Sequence, residues 1–458
     1  MKGSAPSAGR EHFGSSFTFI MAMAGSTIGL GNIWRFPYIV GEHGGAAFLV
    51  AYLICSIFIS LPCFMCESLI GRRGRSGAHG AMKKLAPGSF WPVLMIVPVF
   101  GCFVVVSYYC VVGGWSLDYL VRAIAGGIAQ GNPEDATAVF SRMAASPVEA
   151  IAMDFAFLGA TALIVLLGVK NGIEKFTKIT MPLLCVLMVA MVVFSVSLPG
   201  SGEGVKYLLH PDFSKLDASG WACALGQSFY SMSLGVGTVL VYSSFVKKED
   251  NILRSGFWTS ISDSAFALIA GFAIMPAVFA AGLEPGAGPA LVYETLPYIF
   301  SKIGLESPVL GYVVALVFFL AILMAALTSS ISLFEVCVEN AMERWGLKRR
   351  WSVLLYLFAA AALGVPCALS FGPMAGTKLF GLNIFDLCDY VSSNFFMTLG
   401  ALAFTIFVGW RMKKADIRSE FTNDGALGFN AKVFNFFYFL VRWIIPPVIL
   451  IIFIANII

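Results

Sequence analysis

The sequence predicts an all-α polytopic membrane protein of eleven transmembrane helices, two of them broken, and three observations carry that prediction. Of 458 residues, 58% are hydrophobic and only 12% charged, with a mean hydropathy of +0.84, too apolar for a soluble chain of this length. The apolar runs last about 20 residues without polar alternation, which matches the helical crossing of a bilayer; barrel strands are half as long and alternate. Two of the runs are interrupted at bilayer depth by glycine, serine and asparagine.

Runs bounded by charge, proline and glycine place helices 1 to 11 at 15–39, 45–70, 89–125, 151–169, 175–199, 220–246, 255–282, 308–344, 351–370, 382–411 and 434–457. Residues 1–14 form a polar N-terminal segment, and without a small-residue cleavage site before the run bearing Arg35 no signal peptide is expected. The loops with Arg72, Arg73, Arg75, Lys83 and Lys84, with Lys170, Lys175 and Lys178, with Lys247, Lys248 and Arg254, with Arg344, Lys348, Arg349 and Arg350, and with Arg411, Lys413, Lys414 and Arg418 all fall on one side. The positive-inside rule makes that side the cytoplasm, so the chain is expected in the inner (plasma) membrane with its N-terminus inside and, after eleven spans, its C-terminus outside. The net charge of +4 lies in these short loops and points to no nucleic acid. The outer loops 126–150, 200–219 and 283–307 are longer, and PGAGPALVYETLPYIFSKIG in the last reads as a short amphipathic lid. All ten cysteines fall in apolar runs without metal-ligand spacing and read as small core residues.

The first interruption is AMAGSTIGLGNIWRFPY, 22–38, where Gly29, Leu30, Gly31 and Asn32 precede Arg35 and Pro37. Glycine and asparagine disfavour a helix interior, so the helix is expected to break there. Unwound backbone at bilayer depth is tolerated only inside protein or along a cavity, so the break marks a candidate site, with a glycine-rich packing face or a proline kink as the alternative. Freed carbonyls and Asn32 suit a hard cation, and freed amides at the start of the next half-helix suit a carboxylate. The second interruption is GQSFYSMSLGVGTVLVYSSF, 226–245, at Ser233 to Gly237. If 15–199 (helices 1–5) and 220–411 (helices 6–10) are two repeats, five helices each invert the second against the first, the breaks fall in register, and 434–457 is an added eleventh helix. Such paired breaks point to the central site of a transporter.

These residues resemble the neurotransmitter:sodium symporters, whose structural model is the bacterial leucine transporter. The likeness spans roughly 10–411 and rests on REHF at 10–13, the GLGNIWRFPY run, EHGGAAF at 42–48, SYYCVVGGW at 107–115, SFYSMSLGVG at 228–237 and ALTSSIS at 326–332. It implies a five-plus-five inverted-repeat, leucine-transporter-like fold, sodium-driven amino-acid uptake with two Na+ ions, and alternating access about helices 1 and 6. Family members commonly have twelve helices; eleven are expected here, in a monomer or weak homodimer.

By this resemblance the first sodium site uses the Thr27 carbonyl, the Asn32 side chain, the Ser231 hydroxyl and carbonyl, Asp263 and the substrate's carboxylate. The second uses the carbonyls of Gly25, Ile28 and Ala325 with the hydroxyls of Thr328 and Ser329. All are hard oxygen ligands, although a membrane-helix Thr also bonds back to its own backbone. For the substrate, the amides of Leu30 and Gly31 and the Tyr109 hydroxyl hold the carboxylate, while Thr27 and carbonyls near Tyr230 and Ser233 take the ammonium. Val105, Tyr230, Val236, Ser329 and Leu333 line the side-chain end. Gly29 stands where monoamine carriers of the family have Asp, which favours a zwitterion.

Arg35 and Asp389, opposite intramembrane charges near the outer face, read as a closing pair or as a permanent ion pair. Arg10 and Glu343 play the same part at the inner face. Glu67 reads as an acceptor for neighbouring backbone, and Gly172 and Pro182 as a stretch of helix 5 able to unwind, or simply a proline-tolerant helix start. Chloride-dependent relatives use a Tyr, a Gln, two Ser and an Asn; here Tyr52, Gln227 and Ser231 are kept while helix 7 offers Asp263 and Ala267, which implies independence of chloride. A channel would need a continuous polar stripe or a filter repeat, and an intramembrane protease would need paired aspartates in like contexts; neither is present. Val236, where the family often has an aromatic residue, is expected to enlarge the pocket, while Thr27 and Tyr230 narrow or polarise it. The expected cargo is a neutral, hydrophobic amino acid, with taurine, β-alanine or another small amine acid as the alternative. The chain is expected not to be an enzyme.

Overall fold

A computed structural model of the chain describes residues 12–126, 128, 133–284 and 291–455. The described residues are helical apart from turns, loops and two isolated bridges. Among the described residues nine uninterrupted helices are long and apolar enough to cross a bilayer: helix 2 (Ala46–Gly74), helix 3 (Trp91–Ile124), helix 4 (Pro147–Leu166), helix 5 (Val169–Ser197), helix 7 (Ile252–Ala280), helix 8 (Pro308–Trp345), helix 9 (Arg349–Leu369), helix 10 (Ile384–Arg411) and helix 11 (Gly428–Ile454). Helix 1 is the bent pair Ser16–Thr27 and Gly31–Glu42, whose halves meet at 59°. Helix 6 is Ala218–Ser231 followed by Thr238–Ser243, with six residues between them outside regular helix.

Local chemistry fixes several starts. Ser15 caps helix 1 in a reciprocal box with Thr18, Asp217 accepts from the Gly220 amide at the start of helix 6, and Asn251 and Asn383 cap helices 7 and 10. Helix 5 starts at Val169 rather than 175 because Gly172 lets its first turn press on helix 4; a Cβ there would lie 2.1 Å from the Ile164 carbonyl oxygen. It stays wound through Pro182. Helix 11 likewise starts earlier than its apolar run, at Gly428 rather than 434. The lid reading of 283–307 falls partly on 285–290, outside the described residues; beyond them Leu291–Thr295 and Leu296–Glu306 are helical. Tyr293 there is buried and accepts the Tyr119 hydroxyl on its carbonyl at 2.6 Å. Seven cysteines are buried as expected, but Cys185 is exposed on helix 5, and Cys223 and Cys388 are half-exposed.

Helices 3, 4, 8 and 9 pack on one another, and helices 1, 2, 6 and 7 form a second group against them, with helix 5 touching both. Backbone carries the tightest contacts in the second group. A Cβ on Gly71 of helix 2 would lie 2.0 Å from the Leu240 carbonyl oxygen, and Gly235 and Gly400 meet so closely that a Cβ on either would lie 1.8 Å from backbone oxygen, that of Met397 or of Gly235. The helix 6 break uses left-handed backbone at Ser233 (φ 50°), Gly235 (φ 83°) and Gly237 (φ 84°). Its freed groups are satisfied locally: the Gly235 amide donates to Glu67 Oε1 at 2.7 Å, and the Thr238 hydroxyl donates to the Ser233 carbonyl at 2.9 Å.

The face bearing the basic loops is tied by Arg72, which is 2% exposed. It donates to the Asp250 carbonyl at 2.6 Å, to the Asn423 side chain at 3.1 Å, and to the carboxylate and carbonyl of Glu420. The Ser16 hydroxyl at the start of helix 1 donates to the Asp250 carboxylate in the same cluster.

Because Gly235 combines positive φ with backbone contact, Gly235→Ala is expected to lower stability by on the order of 1–3 kcal/mol, read as an earlier thermal transition of the purified protein. Gly159→Ala, at an open helical position, is the control. An equal melting temperature for both variants would show that the helix 6 break is not held as described.

Candidate functional site

The two breaks face each other across a small central cavity, and helices 3, 8 and 10 close it. Helix 1 contributes Thr27, Leu30 and Gly31, helix 6 contributes Tyr230, Ser231, Ser233 and Val236, and helices 3 and 8 contribute Val105, Tyr109, Ser329 and Leu333. The structure therefore brings together all eleven residues expected around a substrate. Four further lining groups, Ser26, Gly29, Asn32 and Met397, complete the wall.

The first proposed ion site is organised around Asp263, a carboxylate 1% exposed on helix 7. Asn32 Nδ2 donates to it at 2.9 Å, the Tyr52 hydroxyl at 2.9 Å, and the Ser231 hydroxyl lies 2.8 and 2.7 Å from its two oxygens. Thr27 is buried beside them, its hydroxyl turned back to the Ala24 carbonyl at 3.2 Å. Gln227 sits next to the cluster and donates to the Gly31 carbonyl at 3.2 Å. A buried carboxylate with hydroxyl and amide groups around it is a hard, negatively charged environment suited to a small cation.

The second oxygen cluster lies where helix 8 crosses the first break. The Ser329 hydroxyl is 3.4 Å from both the Gly25 and the Ile28 carbonyls, and the Thr328 hydroxyl is 3.0 Å from the Ala325 carbonyl. Gly25 permits the approach, since a Cβ there would sit 3.2 Å from Thr328 Cβ. Ser329 thus joins helix 8 to two carbonyls of helix 1. The Thr328 hydroxyl bonds back to its own helix, at the carbonyls of Met324 and Ala325.

Between the clusters, the Tyr109 hydroxyl is buried and makes no hydrogen bond of standard geometry to a described residue, with the Ser329 hydroxyl and the Leu30 backbone as its polar neighbours. It faces Gly29, where a Cβ would lie 3.2 Å from it and 2.6 Å from Ser329 Oγ; a Cβ on Gly31 would lie 2.7 Å from the Tyr230 ring. A buried hydroxyl without a partner costs about 1–3 kcal/mol, so this one is placed to donate to something that enters. The cavity holds about 40 Å³, room for about three waters at the smallest. That is narrower than Val236 alone implies, because Tyr230 and Ser329 close on the two glycines.

A vestibule of about 530 Å³ opens on the side away from the basic loops, lined by helices 6, 10 and 11 with Arg35, and it shares Tyr230 and Met397 with the central cavity. Those two side chains are the partition between them. Arg35 and Asp389 are not joined in an ion pair here. The Arg35 guanidinium lies 5.4 Å from the Tyr230 ring centroid, while Asp389 accepts from the Tyr108 hydroxyl at 2.8 Å and from Ser393 at 3.3 Å. On the opposite face Glu343 accepts from the Gly77 amide at 2.8 Å, and Arg10 lies outside the described residues. Sequence reasoning missed Met397, Tyr108 and Arg72. Tyr108 stands in the SYYCVVGGW run and was open to discovery there, whereas nothing near Met397 or Arg72 sets them apart.

The comparisons agree with this geometry. The sodium:neurotransmitter symporter family matches residues 10–136 and 148–458. An uncharacterized sodium-dependent transporter, YhdH, of Bacillus subtilis (strain 168) is 37% identical over 442 residues, 96% of each chain. Another from Haemophilus influenzae is 35% identical over 458 residues, 98% of each chain. The crystal structure of MhsT in complex with L-phenylalanine superposes with a TM-score of 0.88 at 39% identity, covering 98% of this chain and 100% of that one. With two broken helices meeting at a buried, oxygen-lined site and the family's pattern running from end to end, this chain belongs to the sodium:neurotransmitter symporters, membrane transporters rather than enzymes.

Proposed function

We propose that the protein is a symporter of neutral, hydrophobic amino acids coupled to two sodium ions, working by alternating access and without chloride. The observation that carries this is the buried Tyr109 hydroxyl on the cavity wall, between two oxygen clusters at the meeting of both helix breaks. An amino-acid carboxylate there would accept from Tyr109 and from the Leu30 and Gly31 amides, which open a half-helix and so lack helical partners. The substrate carboxylate would complete the coordination of the first ion beside Asn32, Thr27, Ser231 and Asp263, which couples ion to cargo directly. The likeness to MhsT, solved with L-phenylalanine, supports a hydrophobic cargo, as does Gly29 in place of an acidic residue.

In the proposed cycle the cargo enters from the vestibule and displaces Tyr230 and Met397. Helix 1 and helix 6 then pivot with helices 2 and 7 against helices 3, 4, 8 and 9, and the face carrying Arg72 and Glu343 opens. The basic loops support a cytoplasmic side for that face. The division into repeats 15–199 and 220–411, with 434–457 outside them, fits this movement.

Asn32→Ala and Thr328→Ala are each expected to raise the sodium concentration needed for half-maximal uptake roughly tenfold, equivalent to about 1.4 kcal/mol per lost ligand, with both variants still folded in sodium-free buffer. Wild-type sodium curves in both would overturn the ion sites. Gly29→Asp is expected to abolish amino-acid binding, since a second carboxylate beside that of the cargo adds repulsion of about 4 kcal/mol at 4 Å. Undiminished thermal stabilisation of that variant by phenylalanine would remove Gly29 from the pocket.

Asp263 supplies in the protein the negative charge that chloride brings elsewhere, and Tyr52 and Ser231 already donate to it. Uptake is therefore expected to persist when chloride is replaced by gluconate. Asp263→Asn with Ala267→Ser should then gain activity on adding chloride. Loss of wild-type uptake in gluconate would sink this reading while leaving the sodium sites standing.

A further inference from the structure

On the face away from the basic loops, Cys367 in the last turn of helix 9 and Cys388 in the second turn of helix 10 stand with their sulfurs 3.8 Å apart. The contact is held from both sides. The Phe385 amide donates to Ser370 Oγ at 3.2 Å, that hydroxyl donates to the Pro366 carbonyl at 2.8 Å, and the Phe385 ring packs on Trp115 and Phe371. Cys367 is buried and Cys388 half-exposed, so a thiol oxidant has one sulfur to reach. Of the other thiols, Cys102 lies fully buried in the core and donates to the Leu333 carbonyl at 3.2 Å, where no such access exists.

We propose that Cys367 and Cys388 form a disulfide that pins helix 10 to helix 9 and slows transport, a modification site outside the substrate and ion machinery. The sulfurs need to close by about 1.8 Å to reach bonding distance near 2.05 Å, within reach of side-chain rotation and a small helix shift. The oxidant is a disulfide-bearing compound or protein, which the extracytoplasmic side, if the orientation proposed above holds, supplies. The Cys388 thiolate attacks the oxidant's disulfide and releases one thiol, leaving a mixed disulfide. The Cys367 thiolate then displaces the second thiol, so two protons and two electrons leave the pair and the oxidant is reduced to two thiols.

The consequence for transport follows from what comes next along helix 10. Asp389 adjoins Cys388 and is held by Tyr108 of helix 3, and Ser393, Asn394 and Met397 line the vestibule within the next turns. A covalent tie at Cys388 holds this wall against helix 9, so the vestibule cannot widen freely around an entering cargo.

The test uses the full-length purified protein in detergent, where both faces are accessible and the outcome is independent of orientation and of any substrate. Treated with oxidised glutathione, unfolded and alkylated, wild-type protein is expected to lose two of its ten reactive thiols, mapped by peptide mass spectrometry to the 367–388 pair. Cys388→Ser should lose none, and Cys367→Ser at most one, held on Cys388 as a mixed disulfide with glutathione, with no intramolecular bond in either variant. Ten alkylated cysteines after oxidation, or a bond mapped elsewhere, would overturn the site. In proteoliposomes, oxidation is expected to slow sodium-driven uptake at least threefold in wild type and not in either variant, with recovery in reductant. A bond that forms without changing uptake would overturn its role in transport.

Discussion

Everything in this molecule depends on one constraint: backbone amides and carbonyls freed inside a membrane must find partners within the protein. Breaking a helix at bilayer depth exposes several such groups, each worth several kcal/mol if left alone. The second break is made tolerable by Glu67, whose carboxylate meets the Gly235 amide, and by Thr238, which returns a hydrogen bond to Ser233. In the first break, Asn32 accepts from the Gly29 amide at 3.3 Å. Groups not consumed in this way remain directed at the space between the breaks, and they are the groups that a zwitterion and small cations need.

The breaks were legible because they rest on composition. Gly29, Gly31, Gly235 and Gly237 are the wrong residues for a membrane helix, and no tertiary knowledge is needed to see it. The eleven lining positions followed from motif likeness, and the cavity gathers all of them. What stayed hidden depends on partners far away in sequence. Met397 is an ordinary apolar residue until helix 10 lays it beside Tyr230, and Arg72 looks like one more loop cation. The early starts of helices 5 and 11 were missed because Lys170, Asn171 and Lys175, and the polar residues after Gly428, read as loop while packing continues the helix through them.

Charge tells a second story. Arg35 and Asp389 read as an obvious pair, yet each has a different aromatic partner, Tyr230 and Tyr108. Tyr230 belongs to both cavity and vestibule, so the cation on its face acts on the same side chain that separates them. Asp263 meanwhile is met by three donors from helices 1, 2 and 6, so its carboxyl group is held at one place in the first oxygen cluster.

Arg72 carries a consequence for how the protein comes to be made. Its acceptors lie on residues 178 and 348 positions further along the chain. At synthesis rates of about 5–20 residues per second, the last of them emerges roughly 17–70 s after Arg72 itself. Through that interval the guanidinium lacks these acceptors, so the basic end of helix 2 must wait near the membrane surface. The buried cluster is thus a late assembly step, and a ribosome stalled before residue 420 would leave the face of the basic loops unlatched.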